Sequence, residues 1–81
     1  MNYTEQVRNY IEKQFKRAKE LNKQILELSA KEIHEALDFN RRYPSVCSAM
    51  EQMMGENDEY LVTTPSRRSS NVVIRYYLND K

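Results

Sequence analysis

The sequence contains few of the residues that interrupt regular structure or cross-link a chain. Among the 81 residues, glycine occurs once, at Gly55, proline occurs at Pro44 and Pro65, and tryptophan is absent. With so few breakers, most of the chain is expected to form helices and strands. Cys47 is the only cysteine, so no disulfide can form within the chain, and a lone thiol is typical of a reducing compartment.

Long hydrophobic runs are also missing. No stretch of apolar residues reaches the length of a membrane span, and the N-terminus does not have the pattern of a secretion signal. Hydrophobic residues nevertheless make up 40% and charged residues 31% of the chain, which is typical of a globular protein rather than a disordered tail. We therefore expect one soluble, cytoplasmic domain over residues 1–81, with a single modest core.

The residue types that build catalytic and metal centres are scarce. His34 and Cys47 are each the only residue of their type, and one of each cannot complete a tetrahedral zinc site. A Cys–His nucleophile pair would also need a third group to orient it. With a single glycine the chain has no phosphate-binding glycine-rich loop. The sequence thus predicts no enzyme, no metal and no cofactor.

Charge is unevenly distributed, although the formal net charge is only +1. Residues 1–28 carry six basic and four acidic side chains, and residues 65–81 carry four basic and one acidic side chain. Residues 43–64 carry four acidic side chains and no basic one. Basic ends therefore flank an acidic middle, which bears on any charged partner.

The N-terminal segment has the periodicity of an amphipathic helix. Thr4 is a suitable N-cap, and apolar residues recur at steps of three, four or seven up to about Leu26. The apolar face consists of Val7, Ile11, Ala18, Leu21 and Ile25, flanked by Tyr10 and Phe15. A helix that packs on the core explains this face, and a dimerisation helix with Tyr10 and Phe15 as contacts is the alternative.

Two shorter helices are predicted next. Ser29 and Glu32 have the spacing of a capping box, which opens a helix of about two turns that ends near Asp38. Pro44 suits the first turn of the following helix, and Gly55 is expected to close it in the left-handed conformation. The inward residues of that helix are predicted to be Val46, Ala49, Met50 and Met53.

The hydrophobic period changes from helical to alternating after Gly55. Residues 60–64 are mostly β-branched or aromatic, and residues 72–78 alternate between two faces. One of these faces consists of Val72, Ile74, Tyr76 and Leu78. The connecting residues, 65–71, are rich in turn formers, so the pattern predicts a β-hairpin.

The order of long helix, capped helix, turn, second helix and hairpin resembles the winged helix-turn-helix superfamily. The resemblance implies an α+β fold with three helices plus a C-terminal β-hairpin wing. Residues 1–28 would hold the long helix and a lead-in, 29–54 the helix-turn-helix, and 60–78 the wing. The chain departs from this pattern in two places. The turn at 38–43 is longer than the usual three or four residues, and the helix that begins near Pro44 contains no Lys or Arg.

The resemblance implies a small DNA-binding protein, a transcriptional regulator that contacts duplex DNA through residues 41–52 and 65–71. Basic side chains would neutralise phosphates on either side of the reading helix, and outward polar groups on that helix would reach base edges. The predicted DNA-contacting residues are Arg41, Arg42, Ser45, Ser48, Gln52, Arg67 and Arg68. Cys47 is a further residue for the outward face.

Two alternatives remain open at this stage. The acidic residues 43–64 and the absence of Lys or Arg from the helix that begins near Pro44 favour a protein-interaction module on the same scaffold without DNA binding. Glu51 on the exposed side of that helix would also repel phosphates. The oligomeric state is also open: a homodimer through the N-terminal helix is possible, and it is favoured by the fact that a single domain of this size covers one half-site only.

Overall fold

The computed structural model describes residues 2–65 and 69–81. Within them, the α-helices are α1 (Tyr3–Glu20), α2 (Ala30–Ala36) and α3 (Tyr43–Gln52). The strands are β1 (Ile25–Ser29), β2 (Glu59–Val62) and β3 (Val73–Tyr77), and a 3₁₀ turn, Leu78–Asp80, follows. The described residues therefore form an α+β fold with three α-helices and a three-stranded antiparallel sheet.

Strand β3 lies in the middle of the sheet and pairs antiparallel with both β1 and β2. Glu27 of β1 and Glu59 of β2 both lie opposite Arg75 of β3, on either side of it. The register shifts between Tyr60 and Val62, where β2 contains an irregularity. The predicted pairing of the two C-terminal strand segments is present, and β1 is an additional strand.

Helix α1 ends earlier than the sequence predicted. It stops at Glu20 instead of continuing to about Leu26, because Asn22 adopts a φ of 61°. The N–H of Lys23 then donates to the carbonyl of Ala18 at 3.0 Å, which satisfies one of the last carbonyls of the helix. Asn is one of the few residues that adopt this left-handed conformation at low cost, so it ends a helix well.

The N-caps of the first two helices are side-chain caps. Asn2, rather than the predicted Thr4, caps α1, and its Oδ1 accepts the N–H of Glu5 at 2.8 Å. Ser29 caps α2 as predicted, since its hydroxyl oxygen accepts the N–H of Glu32 at 3.1 Å. Both caps satisfy N–H groups that have no partner inside the helix.

Strand β1 corrects the prediction that residues up to 28 form only a helix and a lead-in. Leu28 is buried against the helices, whereas Leu21 is 62% and Ile25 is 43% exposed, so neither belongs to the apolar face of α1. The helical spacing of these two residues was coincidental. β1 is stabilised by its ladder with β3, which is distant in sequence and leaves no local signal.

The core lies between the sheet and the helices, which cover one face of the sheet. The alternating residues predicted for β3 are buried, and Tyr76 among them is the largest fully buried side chain. Its hydroxyl donates to the carbonyl of Met50 at 2.8 Å, and burial raises the pKa of Tyr76. Phe15 packs edge-on against Tyr76 with ring centroids 5.0 Å apart. Phe15 is therefore a core residue, and its prediction as a dimer contact was wrong.

Asp58 anchors the segment between α3 and β2. Its carboxylate accepts the N–H groups of Gly55 and Tyr77, both at 2.7 Å, and forms an ion pair with Lys81. Burial acts to raise the pKa of Asp58, but the two backbone hydrogen bonds and Lys81 together outweigh it, so the pKa lies below its ordinary value. Gly55 does not have a positive φ, so its predicted role as a left-handed helix cap was wrong.

Candidate nucleic-acid interface

Residues of all three helices meet at the turn that connects α2 to α3. His34 of α2 stacks on Tyr43, the first residue of α3, with ring centroids 4.1 Å apart and planes 11° from parallel. Phe39 in the turn lies edge-on to His34 at 6.0 Å and to Tyr3 of α1 at 5.1 Å. We call these four residues the aromatic corner, because they fix the position of the turn between α2 and α3.

The turn itself begins at Asp38, which adopts a φ of 54°. The N–H of Phe39 donates to the carbonyl of His34 at 3.0 Å, the same type of C-terminal bond that ends α1. Asp, like Asn, tolerates the left-handed conformation better than most residues. The chain then passes through Asn40 and reaches the two predicted phosphate contacts, Arg41 and Arg42.

Arg42 is exposed and packs on the aromatic corner. Its guanidinium carbon lies 4.3 Å from the centroid of the Tyr3 ring, which is a cation–π distance. Its backbone N–H donates to Nε2 of His34 at 3.1 Å. Within the part of the chain that the structure describes, its guanidinium makes no hydrogen bond or ion pair, so its N–H edges are available to an anion.

Arg41 is also exposed, and its φ is 55°. For a side chain other than Gly, Asn or Asp this conformation costs about 1–2 kcal/mol. A bulky residue keeps such a conformation only where the surrounding structure enforces it, and strained residues of this kind cluster at functional sites. This backbone conformation at Arg41 leads the chain into α3, so that two exposed arginines lie immediately before the first turn of the helix.

The outward side of α3 carries the polar residues that the sequence predicted, but they differ in availability. Ser45 and Ser48 are half-buried, and Gln52 is exposed. The Oε1 atom of Gln52 accepts a hydrogen bond from Nη1 of Arg8 at 2.6 Å, which links the end of α3 to α1. Glu51 is exposed on the same helix, as the sequence predicted.

Cys47 does not face outward, and that prediction was wrong. The side chain is in the core, with 2% of its surface exposed, and its Sγ lies 3.5 Å from the carbonyl oxygen of Ser69. It therefore packs α3 against the chain that leads into β3. The other two predicted phosphate contacts, Arg67 and Arg68, lie outside the described residues.

Arg75 adds little to a cationic surface. It forms ion pairs with Glu27 at 2.9 Å and with Glu59 at 3.5 Å, across all three strands and on the sheet face away from the helices. Hydrogen bonds with Tyr77 and Glu27 raise the pKa of Arg75. The sequence shows these three charged residues, but only the register of the sheet places both carboxylates beside the same arginine.

Tyr10, the other predicted dimer contact, is half-buried. It lines a cleft of about 270 Å³ between α1 and the end of α2, together with Lys13 and Leu37. Unlike Phe15, it remains accessible on the flank of α1. A homodimer through this helix therefore rests on Tyr10 alone of the two predicted contacts.

Three further observations concern membranes, metals and relatives. Among residues 2–65 and 69–81, no helix has both the length and the apolar character needed to span a bilayer. The same residues contain no cluster of three or more His, Cys, Asp or Glu placed to hold a metal ion. No protein-family model, curated protein or solved structure matches the chain.

Proposed function

We propose that this chain is a winged-helix protein that binds duplex DNA and regulates transcription. In this proposal α3 faces the major groove, and the turn before it contacts the phosphate backbone. The element order, with α2 and α3 between β1 and β2, supports the winged-helix assignment, as does the sheet order β1-β3-β2. Strands β2 and β3, with the connector at 65–71, would form the wing.

The exposed arginine pair at the start of α3 is the observation that carries the proposal. The guanidinium carbon of Arg42 lies over the Tyr3 ring at 4.3 Å, and this contact favours one direction of the side chain before it meets a phosphate. An ordered guanidinium loses less conformational entropy on binding and can contact a phosphate with two N–H groups. Arg41 adds a second exposed cation, and phosphate contacts supply most of the sequence-independent affinity for DNA.

Base contacts in this proposal come mainly from Ser45 and Ser48. Both are partly exposed on α3, and a serine hydroxyl can donate to or accept from a base edge. Gln52 reads adenine best with its oxygen and nitrogen together, but its oxygen already accepts from Arg8. We therefore assign Gln52 a lesser role, through its remaining amide N–H groups.

Salt-dependent DNA binding tests the proposal. Anisotropy of a labelled duplex of mixed sequence gives the association constant at several salt concentrations for the wild type and for an Arg41→Asn/Arg42→Gln variant. Asn tolerates the backbone conformation of position 41, so the variant removes charge without adding strain. The slope of log K against log salt should become shallower by about 1.8, or about 0.9 for each phosphate that the variant no longer neutralises.

A Lys13→Gln/Lys16→Gln variant is the matched control. It removes the same charge from the exposed side of α1, and it should leave the slope nearly unchanged. Absence of wild-type binding at low salt would overturn the proposed function. An equal change of slope in both variants would overturn the assignment of the contact to Arg41 and Arg42. An Arg67→Ala/Arg68→Ala variant tests the part of the proposal that rests on the sequence of the connector.

A protein-interaction module is the second candidate, and exposed apolar residues of β2 favour it. Leu61 and Val62 are neighbouring exposed apolar residues of β2, and exposed apolar patches often mark interaction sites. This candidate predicts a protein that does not bind DNA at low salt. Light scattering at high protein concentration tests the proposed homodimer separately, and a monomer there would remove it.

A further inference from the structure

We propose that His34 is a positioning residue for the DNA contact of Arg42, and that it acts as a neutral imidazole with its proton on Nδ1. This inference rests on the proposed function and deepens it. His34 is 8% exposed, so it would contribute to binding through Arg42 and Tyr43 rather than by touching DNA.

The first argument is the hydrogen bond between α2 and the start of α3. The N–H of Arg42 donates to Nε2 of His34 at 3.1 Å. A neutral imidazole has one donor nitrogen and one acceptor nitrogen, so Nε2 as acceptor requires the proton on Nδ1. An imidazolium would turn a second N–H towards the N–H of Arg42 and abolish the bond.

The second argument is that α3 lacks a local cap. Arg42 is its N-cap residue, and the side chain of Arg42 makes no capping hydrogen bond. Pro44 occupies the first turn and has no N–H to cap. The imidazole of His34 accepts the N–H of the N-cap residue itself, the group that a local side chain of the first turn accepts in a capping box, so α2 supplies this contact to α3 instead.

The third argument is the stack on Tyr43. The rings of His34 and Tyr43 lie 4.1 Å apart and nearly parallel, so His34 contacts two consecutive residues of the chain in two different ways. One contact fixes the backbone of Arg42, and the other fixes the orientation of the imidazole. Together they determine where the side chain of Arg42 leaves the backbone on its way to Tyr3.

Three substitutions separate the acceptor from the ring. His34→Gln can bring an oxygen close to the position of Nε2, His34→Asn reaches only as far as Nδ1, and His34→Phe keeps an aromatic ring without an acceptor. We expect the Asn and Phe variants to bind duplex DNA about threefold to tenfold more weakly, the range of one neutral hydrogen bond. The Gln variant should bind within about twofold of the wild type. Urea unfolding of each variant checks that it is folded under the conditions of the binding assay.

A double-mutant cycle tests whether His34 acts through Arg42. In an Arg42→Gln background, His34→Phe should cause little further loss of DNA affinity, because the side chain that it positions is gone. Additive losses would overturn the positioning role, as would a His34→Phe variant that binds as tightly as the wild type. In both cases the proposed function stands if the wild type binds DNA.

Nitrogen NMR tests the geometry without DNA. His34 is the only histidine, so its two imidazole nitrogen signals are assigned without ambiguity to one residue. Nδ1 should be protonated and Nε2 unprotonated, with a coupling across the hydrogen bond to the N–H of Arg42. A proton on Nε2 would overturn the inference whether or not the protein binds DNA, and a wild type that does not bind DNA would overturn the proposed function instead.

Discussion

Replacing Asp58 by alanine should destabilise the protein more than any surface substitution. The side chain is 1% exposed and accepts three hydrogen bonds, from the N–H groups of Gly55 and Tyr77 and from Lys81. Alanine would leave the two N–H groups without this acceptor and the Lys81 ammonium, whose side chain is 14% exposed, without its counter-ion. Each of these changes has a known energetic scale.

The magnitude follows from the hydrogen bonds of the carboxylate. Those to Tyr77 and Lys81 are part-buried and that to Gly55 is exposed, and each part-buried hydrogen bond to a charged group contributes about 1.5–3 kcal/mol. The total stability expected for a chain of 81 residues is about 4–12 kcal/mol. Asp58→Ala should therefore lower the free energy of unfolding by about 3 kcal/mol, and the Tm by about 12–24 °C. Asp58→Asn keeps one oxygen for the N–H of Tyr77 and should cost less than Asp58→Ala.

Urea unfolding followed by circular dichroism measures both variants, and it suits a chain without tryptophan. Glu56→Ala is the matched control, because Glu56 is an exposed carboxylate in the same turn. Its effect should stay within about 0.5 kcal/mol. An Asp58→Ala variant that unfolds within about 1 kcal/mol of the wild type would refute the reasoning.

The pH dependence of stability tests the same interaction, because a carboxylate with a lowered pKa stabilises the folded protein only while it is ionised. The folded pKa of Asp58 is lowered because its two backbone hydrogen bonds and Lys81 outweigh the effect of burial. Its stabilisation is therefore fully present above the unfolded pKa of about 3.9 and is lost as the pH falls through the lower, folded pKa. The stability difference between the wild type and Asp58→Asn should be constant near neutral pH and shrink in acid below about pH 4.

Three further substitutions have expected outcomes. Gly55→Ala should be neutral or stabilise by up to about 1 kcal/mol in urea unfolding, because φ is not positive and the new Cβ would lie 3.4 Å from Nζ of Lys81 and 3.6 Å from Oδ2 of Asp58, which are ordinary contact distances. A loss above about 1 kcal/mol would contradict this. Arg41→Gly should raise the free energy of unfolding by up to about 1 kcal/mol, because glycine adopts a φ of 55° without strain, and it should lower the affinity for DNA. A variant in which stability and DNA affinity both rise, or both fall, would contradict this prediction. Tyr76→Phe should cost about 1 kcal/mol in the same assay, because it removes the hydrogen bond to Met50, and an unchanged urea midpoint would show that this bond contributes nothing.

Features set by neighbouring residues were predicted from the sequence. The Ser29 cap, the helix that starts around Pro44 and the buried alternation of β3 each depend on a few adjacent positions, and each is confirmed. The early end of α1 was also readable in principle, since Asn22 is a left-handed C-terminal residue. It was missed because the apolar spacing of the helix continues past it to Ile25.

Features set by distant residues could not be predicted in this way. Strand β1 exists through its pairing with β3, and five residues without a clear period do not reveal a partner. The candidate site likewise combines features set by neighbouring residues with features set by distant ones. Exposure of Arg41 and Arg42 followed from their place in a polar turn, whereas the packing of Arg42 on Tyr3 and its bond to His34 join segments that only the fold brings together.

The contacts of α3 limit how the proposed DNA recognition can work. The helix is held at its start by the bond between His34 and Arg42, in its middle by Cys47 against the chain leading into β3, and at its end by Gln52 on Arg8. A helix held in this way cannot turn to improve its fit to a groove without breaking one of these contacts. The base contacts left to it are short serine side chains, so phosphate contacts must supply most of the affinity. The proposal therefore requires strong salt dependence together with modest discrimination between sequences, and a protein that binds one sequence tightly at high salt would contradict it.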